Sequence, residues 1–301
     1  KKLKLKLKHH NRYPYSSIIS RKKFSWPKKK KLAFYIAMNI ERFSFGEGKI
    51  HTPSYTTPQP DVRNYGWTAY GLRVGIWRFF DLIDKLKLPA SHLVNSSIYD
   101  HGLEIIKKIR KRKDEIIGHG RTNAESQGEL SLEKERELII EATQTIKKNE
   151  GKQPKGWMGP WISESHNTPD LLQENGYKYL MDWPMDDHPI WMKTKKGKIL
   201  SIPYPVEIND APAMLYRHHT PEQFARMFMD QLDVLLESSE KYPVVCGLSL
   251  HTFIVGQPFR FKYLKKMLEY LKKHKKKKNI WFTRPGEISD YVYKKKINQT
   301  S

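Results

Sequence analysis

From Leu32 onward the chain alternates short apolar runs with amphipathic stretches of helical length. The runs "LAFYIAMN", "ASHLVNS", "EIIGHG", "KGWMG", "YKYLMDW", "ILSIPYP", "YPVVCGLSLH" and "NIWFT" are short, apolar and bounded by turn residues or charge, which predicts strands. Between them, apolar positions recurring every three to four residues predict helices over 67–86, 101–113, 131–149, 168–175, 220–240, 258–274 and 285–295. Ser131, Thr168 and Thr220 stand at three of these starts, each followed within two residues by proline or an acid, as helix N-termini prefer.

Repeated β-α units without a glycine-rich dinucleotide fingerprint after the first strand favour an α/β barrel over an open nucleotide-binding sheet. A chain of 301 residues with 38% hydrophobic content can bury one large core. The expectation is a single barrel domain over 32–301, preceded by a separate segment, 1–31.

In such barrels the chemistry sits at the carboxyl ends of the strands. Those ends carry Asn39 and Glu41, Asn95, His119, Trp157, Asp182, Asp186 and Asp187, Asn209 and Asp210, and His251. A lone histidine at a strand end is more often structural, but His119 and His251 both follow apolar strands and face the same rim, which weighs equally for function. A carboxylate such as Glu41 at an apolar mouth is desolvated, and its pKa is expected to rise toward the general-base range; the alternative is a salt bridge with Arg73. In "DWPMDDHPIW" the aspartates either orient a histidine or cap the next segment, and "GWMGPWISES" reads as a rigid aromatic wall or as a seal on the core.

Charge changes the picture only locally. The formal net charge is +23, yet residues 1–31 hold 13 of the Lys and Arg and no acid, and "KKHKKKK" at 272–278 supplies much of the rest. The basic start reads as a flexible extension in preference to a nucleic-acid or anionic-membrane arm, and the charge distribution weighs against a nucleic-acid partner. No apolar run reaches the roughly 20 residues of a membrane span, and no secretory leader pattern opens the chain, so a soluble, cytoplasmic protein is expected. Cys246 is the only cysteine, which excludes an intramolecular disulfide and a multi-cysteine metal site. It reads as a small buried hydrophobe. No serine elbow or phosphate-binding loop is present. The methionine-rich "FARMFMDQL" allows a homo-oligomer but is more often core.

The ordered segments "NIE", "DEIIGHGRTN", "GWMGPWISES", "DWPMDDHPIW", "IPYPVEIND" and "LSLHTFIVGQPFR" together resemble the polysaccharide deacetylase superfamily (carbohydrate esterase family four), most closely its allantoinase-like branch. The resemblance covers roughly Lys31 to Lys294. It implies a distorted (β/α)7 TIM-like barrel of NodB-homology type and hydrolysis of a non-peptide C–N bond of a small-molecule amide or a sugar. By the resemblance, His251 matches the catalytic histidine of the last motif, His119 the first metal-ligand histidine, and Trp157 to Trp161 the motif that forms one wall of the substrate groove, whose usual arginine is absent. Typical relatives hold a metal with aspartates after the first strand and an H-x-x-x-H pair. Here those positions read Asn39-Ile40-Glu41 and His119 with Asn123, so no metal cofactor is expected; the alternative is a divalent metal such as zinc at Glu41 and His119, with Asn123 as a weak third ligand.

The expected mechanism has Glu41 activating water, His251 protonating the leaving nitrogen and His119 polarising the carbonyl. Asp187 or Asp182 fixes a histidine tautomer, and Asn39, Arg73, Asn123, Asn209 and Asp210 bind substrate. The competing expectations are a metal-dependent N-deacetylase of an acetylated sugar and a binding protein that has lost catalysis.

Overall fold

The computed structural model of the chain describes residues 8–52, 55 and 57–298. Among the described residues nine strands form one sheet: β1 (Leu32–Ile40), β2 (Ser91–Val94), β3 (Glu115–Gly118), β4 (Gly156–Trp157), β5 (Tyr179–Leu180), β6 (Ile190–Thr194), β7 (Gly197–Ser201), β8 (Val244–His251) and β9 (Ile280–Phe282). Their order is β6-β7-β5-β4-β3-β2-β1-β8, with β9 beside the start of β1, and all pairings are parallel except β6 with β7. β1 is buried along its whole length, as a strand covered on both faces must be, which explains its continuous apolar run.

All eight strands expected from the sequence form. The addition is β6, which pairs back on β7 through a turn at Lys195 and Lys196. The sheet ends approach through a single parallel bridge, Asn209 to Ser249, reinforced by the Ser249 amide donating to the Ile208 carbonyl at 3.1 Å. That bridge sets the segment after β7 against β8 and carries Asp210 to the site.

Helices lie within a few residues of the predicted ranges, among them Leu132–Glu150, Pro221–Ser238 and Pro258–Lys273. Thr220 closes a capping box with Gln223, and Ser131 accepts from the Lys134 amide. The stripe Phe224, Phe228 and Leu232 is buried in the main core with Leu264, Met267 and Leu268, so the same chain covers it.

Residues 8–31 do not run free. Arg12 grips Asp170 through both carboxylate oxygens at 2.7 and 2.8 Å, Arg21 grips Asp186 at 2.7 and 2.5 Å, and Trp26 is fully buried with its indole N–H on the Val244 carbonyl. The flexible extension expected from composition is therefore a docked strap over its described part. Among the described residues no helix is long and apolar enough to cross a membrane.

Candidate active site

A cavity of about 140 Å3 opens at the carboxyl ends of the strands, lined by Glu41, His51, His119, Trp161, Tyr216 and His251 with Asn39, Asn123 and Asn209. Glu41 directly follows β1, His119 follows β3 and His251 ends β8, so the ends of the adjacent β1 and β8 and of β3, one strand beyond β2, converge.

Glu41 is the hub. Its Oε1 lies 3.5 Å from His119 Nε2 and 3.4 Å from His251 Nε2, and its Oε2 lies 3.9 Å from His51 Nε2. Burial alone would raise its pKa, as the sequence led us to expect. The opposing charge of His251 and its hydrogen bond outweigh burial and hold the carboxyl well below the usual carboxylate range. Arg73 takes no part: it is exposed on the turn of helix Gly71–Gly75 and does not line the cavity.

His251 is held from behind by Asp210, whose Oδ1 lies 2.6 Å from Nδ1 while Oδ2 accepts the His251 backbone N–H at 2.9 Å. Burial opposes its protonation, but Glu41 and Asp210 on either side raise its pKa to about 10. Asp210 is itself raised by burial against the pull of His251.

His119 places Nδ1 2.6 Å from the Met158 carbonyl. A carbonyl only accepts, so Nδ1 carries the proton and Nε2 offers a lone pair toward Glu41. Neither His119 Nε2 nor Glu41 Oε2 has a hydrogen-bond partner although both are buried. Two acceptors aimed at one space make a place for a donor with two protons or for a cation.

The sequence did not single out His51 or Tyr216. His51 lies in the loop after β1, stacks on Trp161 with ring centroids 4.4 Å apart, and its Nδ1 lies 2.9 Å from the Tyr216 hydroxyl. Burial lowers its pKa to about 4, so the ring is neutral at neutral pH. The loop has no periodic pattern that could have marked it.

Trp161 forms a wall, with its indole N–H on the Asn123 carbonyl at 2.9 Å. Its backbone and that of Ile162 are left-handed, φ 66° and 53°, at a cost of about 1–3 kcal/mol each that the surrounding contacts must offset. Trp157 does not reach the cavity: it is fully buried in the core, bonded to Gln127. Asp182 also stays outside, its Oδ1 accepting the Gly159 N–H at 2.7 Å behind the wall loop. Asp187 is exposed and its carbonyl pairs with Val245 at the start of β8, the strand end opposite His251, so it cannot orient a cavity histidine.

The asparagines brace the site. Asn95 accepts from the Arg42 amide and donates to both the His119 carbonyl and Asn123 Oδ1, and Asn209 Oδ1 accepts from the Ala211 amide. Asn39 donates to the Leu250 carbonyl at 2.9 Å and leaves Oδ1 buried without a partner.

No family model matches the chain. A peptidoglycan deacetylase of Helicobacter pylori is 24% identical over 254 residues, 74% of this chain and 85% of the relative. A solved structure described as a "probable polysaccharide deacetylase" of Pseudomonas aeruginosa has a TM-score of 0.79 at 25% identity, covering 89% of this chain and 93% of that one. Over most of its length the chain is similar to proteins described as polysaccharide deacetylases. Within the same fold, the Puue allantoinase has a TM-score of 0.83 at 24% identity, over 94% of this chain and 98% of that one. The fold shared with these structures is a mainly parallel sheet with its cavity at the carboxyl ends of the strands.

Proposed function

We propose that this protein hydrolyses the C–N bond of a small amide or cyclic amide, using its own acid and base and no metal. The observation that carries this is the line Asp210–His251–Glu41, in which charges of opposite sign are fixed on adjacent groups. At neutral pH Glu41 is a carboxylate and His251 an imidazolium, the states a general base and a general acid need at the start of hydrolysis.

In this reading the hydrolytic water donates to Glu41 and to the free Nε2 of His119, which together aim it at the substrate carbonyl. Glu41 takes a proton as the C–O bond forms, and His251 gives its Nε2 proton to the nitrogen as the C–N bond breaks. With its Nδ1 accepting from Tyr216, the neutral His51 presents Nε2–H to the developing oxyanion, the role the sequence suggested for His119. The small cavity supports a small substrate, since pockets for drug-sized ligands begin near about 300 Å3. An allantoinase and a peptidoglycan deacetylase among the similar proteins mark the range of C–N bonds to test.

One observation favours a metal-dependent reading. Ligand atoms of Glu41, His51 and His251 lie within 4.8 Å of one another, a carboxylate and imidazole set suited to zinc. Bound there, the ion would supply Lewis-acid polarisation of the substrate carbonyl. Asn123, which also lines the cavity, accepts from Asn95 through Oδ1.

The test is turnover of ureides, cyclic amides and N-acetyl sugars by wild type, Glu41→Gln and His251→Ala, with metal analysis before and after chelation. The expected result is turnover of a small amide that survives chelation and falls about 10²- to 10⁴-fold in each variant. Stoichiometric metal with loss of activity on chelation would replace the metal-free reading by the second one.

A further inference from the structure

We infer that the end of the barrel opposite the cavity is a docking surface for an anionic phospholipid membrane. Two lysine runs meet there, joined by a pair 248 residues apart in sequence. The Lys31 amide donates to the Asn279 carbonyl at 2.9 Å, and the Lys30 ammonium bonds the Lys278 carbonyl, so 28–31 and 275–278 form one patch beside the starts of β1 and β9.

Lys28, Lys29, Lys275, Lys277 and Lys278 are exposed, and among the described residues none of them forms an ion pair. Of the acids beside the patch, Glu240 is bound by Lys31, and Asp233, which lines a cleft with Glu237, Lys275 and Lys276, is engaged by His274 and Tyr270. Lys28 and Lys29 both hold left-handed backbone, φ 56° and 59°, where glycine would be cheaper, and the buried Trp26 with its bridge to Lys30 pins that turn. The fold thus maintains a concentrated cationic face at the cost of local strain.

The chemistry favours lipid over nucleic acid. Every exposed cation in the patch is a lysine, a point charge suited to a diffuse field of headgroups, while the strap's Arg21, the side chain that could read phosphate bidentately, is committed to Asp186. No exposed aromatic ring in the patch offers a base a stacking partner: Trp26 is buried and Trp281 half-buried. On the same strap, Ile19 is 74% exposed, three and four residues before the exposed Lys22 and Lys23, and an exposed apolar side chain beside lysines suits a lipid interface. β1 spans nine residues, about 30 Å at about 3.3 Å each, so a membrane at its start leaves the cavity facing solution.

The experiment is sedimentation of the full chain with vesicles of phosphatidylcholine alone and of equal parts phosphatidylcholine and phosphatidylglycerol, at low and high salt. Binding to the anionic vesicles alone, weakening as salt rises, is expected. Replacing Lys28, Lys29, Lys277 and Lys278 with Gln should lower partitioning about fivefold per lysine, with melting temperature unchanged. Equal binding to both vesicle types, undiminished binding by the variant, or displacement from vesicles by a duplex oligonucleotide at lower phosphate concentration than the lipid overturns the inference, the last in favour of nucleic acid.

Discussion

Asp210 holds His251 at two points, the ring at 2.6 Å and the backbone N–H at 2.9 Å, so a single carboxylate fixes both where the imidazole sits and which nitrogen faces Glu41. Replacing Asp210 with Asn keeps the shape and removes the charge. The pKa of His251 then falls from about 10 toward its ordinary 6.5, because one of the two anions that raise it is gone. The alkaline limb of the pH–rate profile is expected to move to lower pH, with kcat reduced about 10²- to 10⁴-fold. An unmoved limb would show that Asp210 is only structural.

Asp187, which the sequence placed beside the catalytic groups, provides the contrast. Its side chain is exposed, and its raised pKa reflects burial of part of the group and the neighbouring Asp186, remote from the cavity. Asp187→Asn is expected to leave kcat/KM at the wild-type value and melting temperature unchanged within experimental scatter. A loss of rate comparable to that of Asp210→Asn would contradict the geometry.

What was legible in the chain follows from what periodicity can encode. Glu41, His119 and His251 could be read because each closely follows an apolar run, and parallel strands of a barrel deliver their ends to one rim. His51 could not be read, because only stacking on Trp161 and the reach of Tyr216 bring its loop over Glu41. Asp210 and Asp187 look alike in sequence, each following an apolar run within a few residues. The bridge from Asn209 to Ser249 separates them, and such a long-range register leaves no local trace. Trp157 and Trp161 lie in one motif, yet the left-handed turn at Trp161 sends one ring to the cavity and leaves the other in the core.

The same ion pair couples stability to pH. Folding raises the pKa of His251 from 6.5 to about 10, so its contribution is full below about pH 6.5 and is lost as pH rises through about 10. Folding lowers the pKa of Glu41, so its contribution is full above about pH 4.5 and is lost as pH falls toward the folded value. Melting temperature is expected to decline on both sides of neutrality. In Glu41→Gln, which removes the anion that does most to raise His251, the alkaline decline should shrink. Thermal denaturation from pH 2 to pH 11 checks both limbs, and parallel curves for the two proteins would refute the coupling.

Behind the wall loop, Asp182 and Glu164 form a second pair of opposite consequence. Asp182 Oδ2 and Glu164 Oε1 are buried without a partner, and two acids that face each other can satisfy both oxygens by sharing a proton. Burial, with the charge of Glu164, pushes Asp182 well above its ordinary value, and burial pushes Glu164 up to about 7 against the hydrogen bonds of Trp183 and Asp182. Acids whose pKa rises on folding stabilise the folded state at low pH, and for Glu164 this contribution is lost between about pH 4.5 and 7. Asp182→Asn keeps an oxygen for the Gly159 N–H and supplies an amide N–H to Glu164 in place of the shared proton. The variant is expected to melt above wild type at pH 8, with the gap closing at pH 4, while turnover stays high because the wall loop is still anchored. Asp182→Ala strands the Gly159 amide and should melt lower at both pH values. An Asp182→Asn protein less stable than wild type at pH 8 would mean that no proton is shared between these carboxyls.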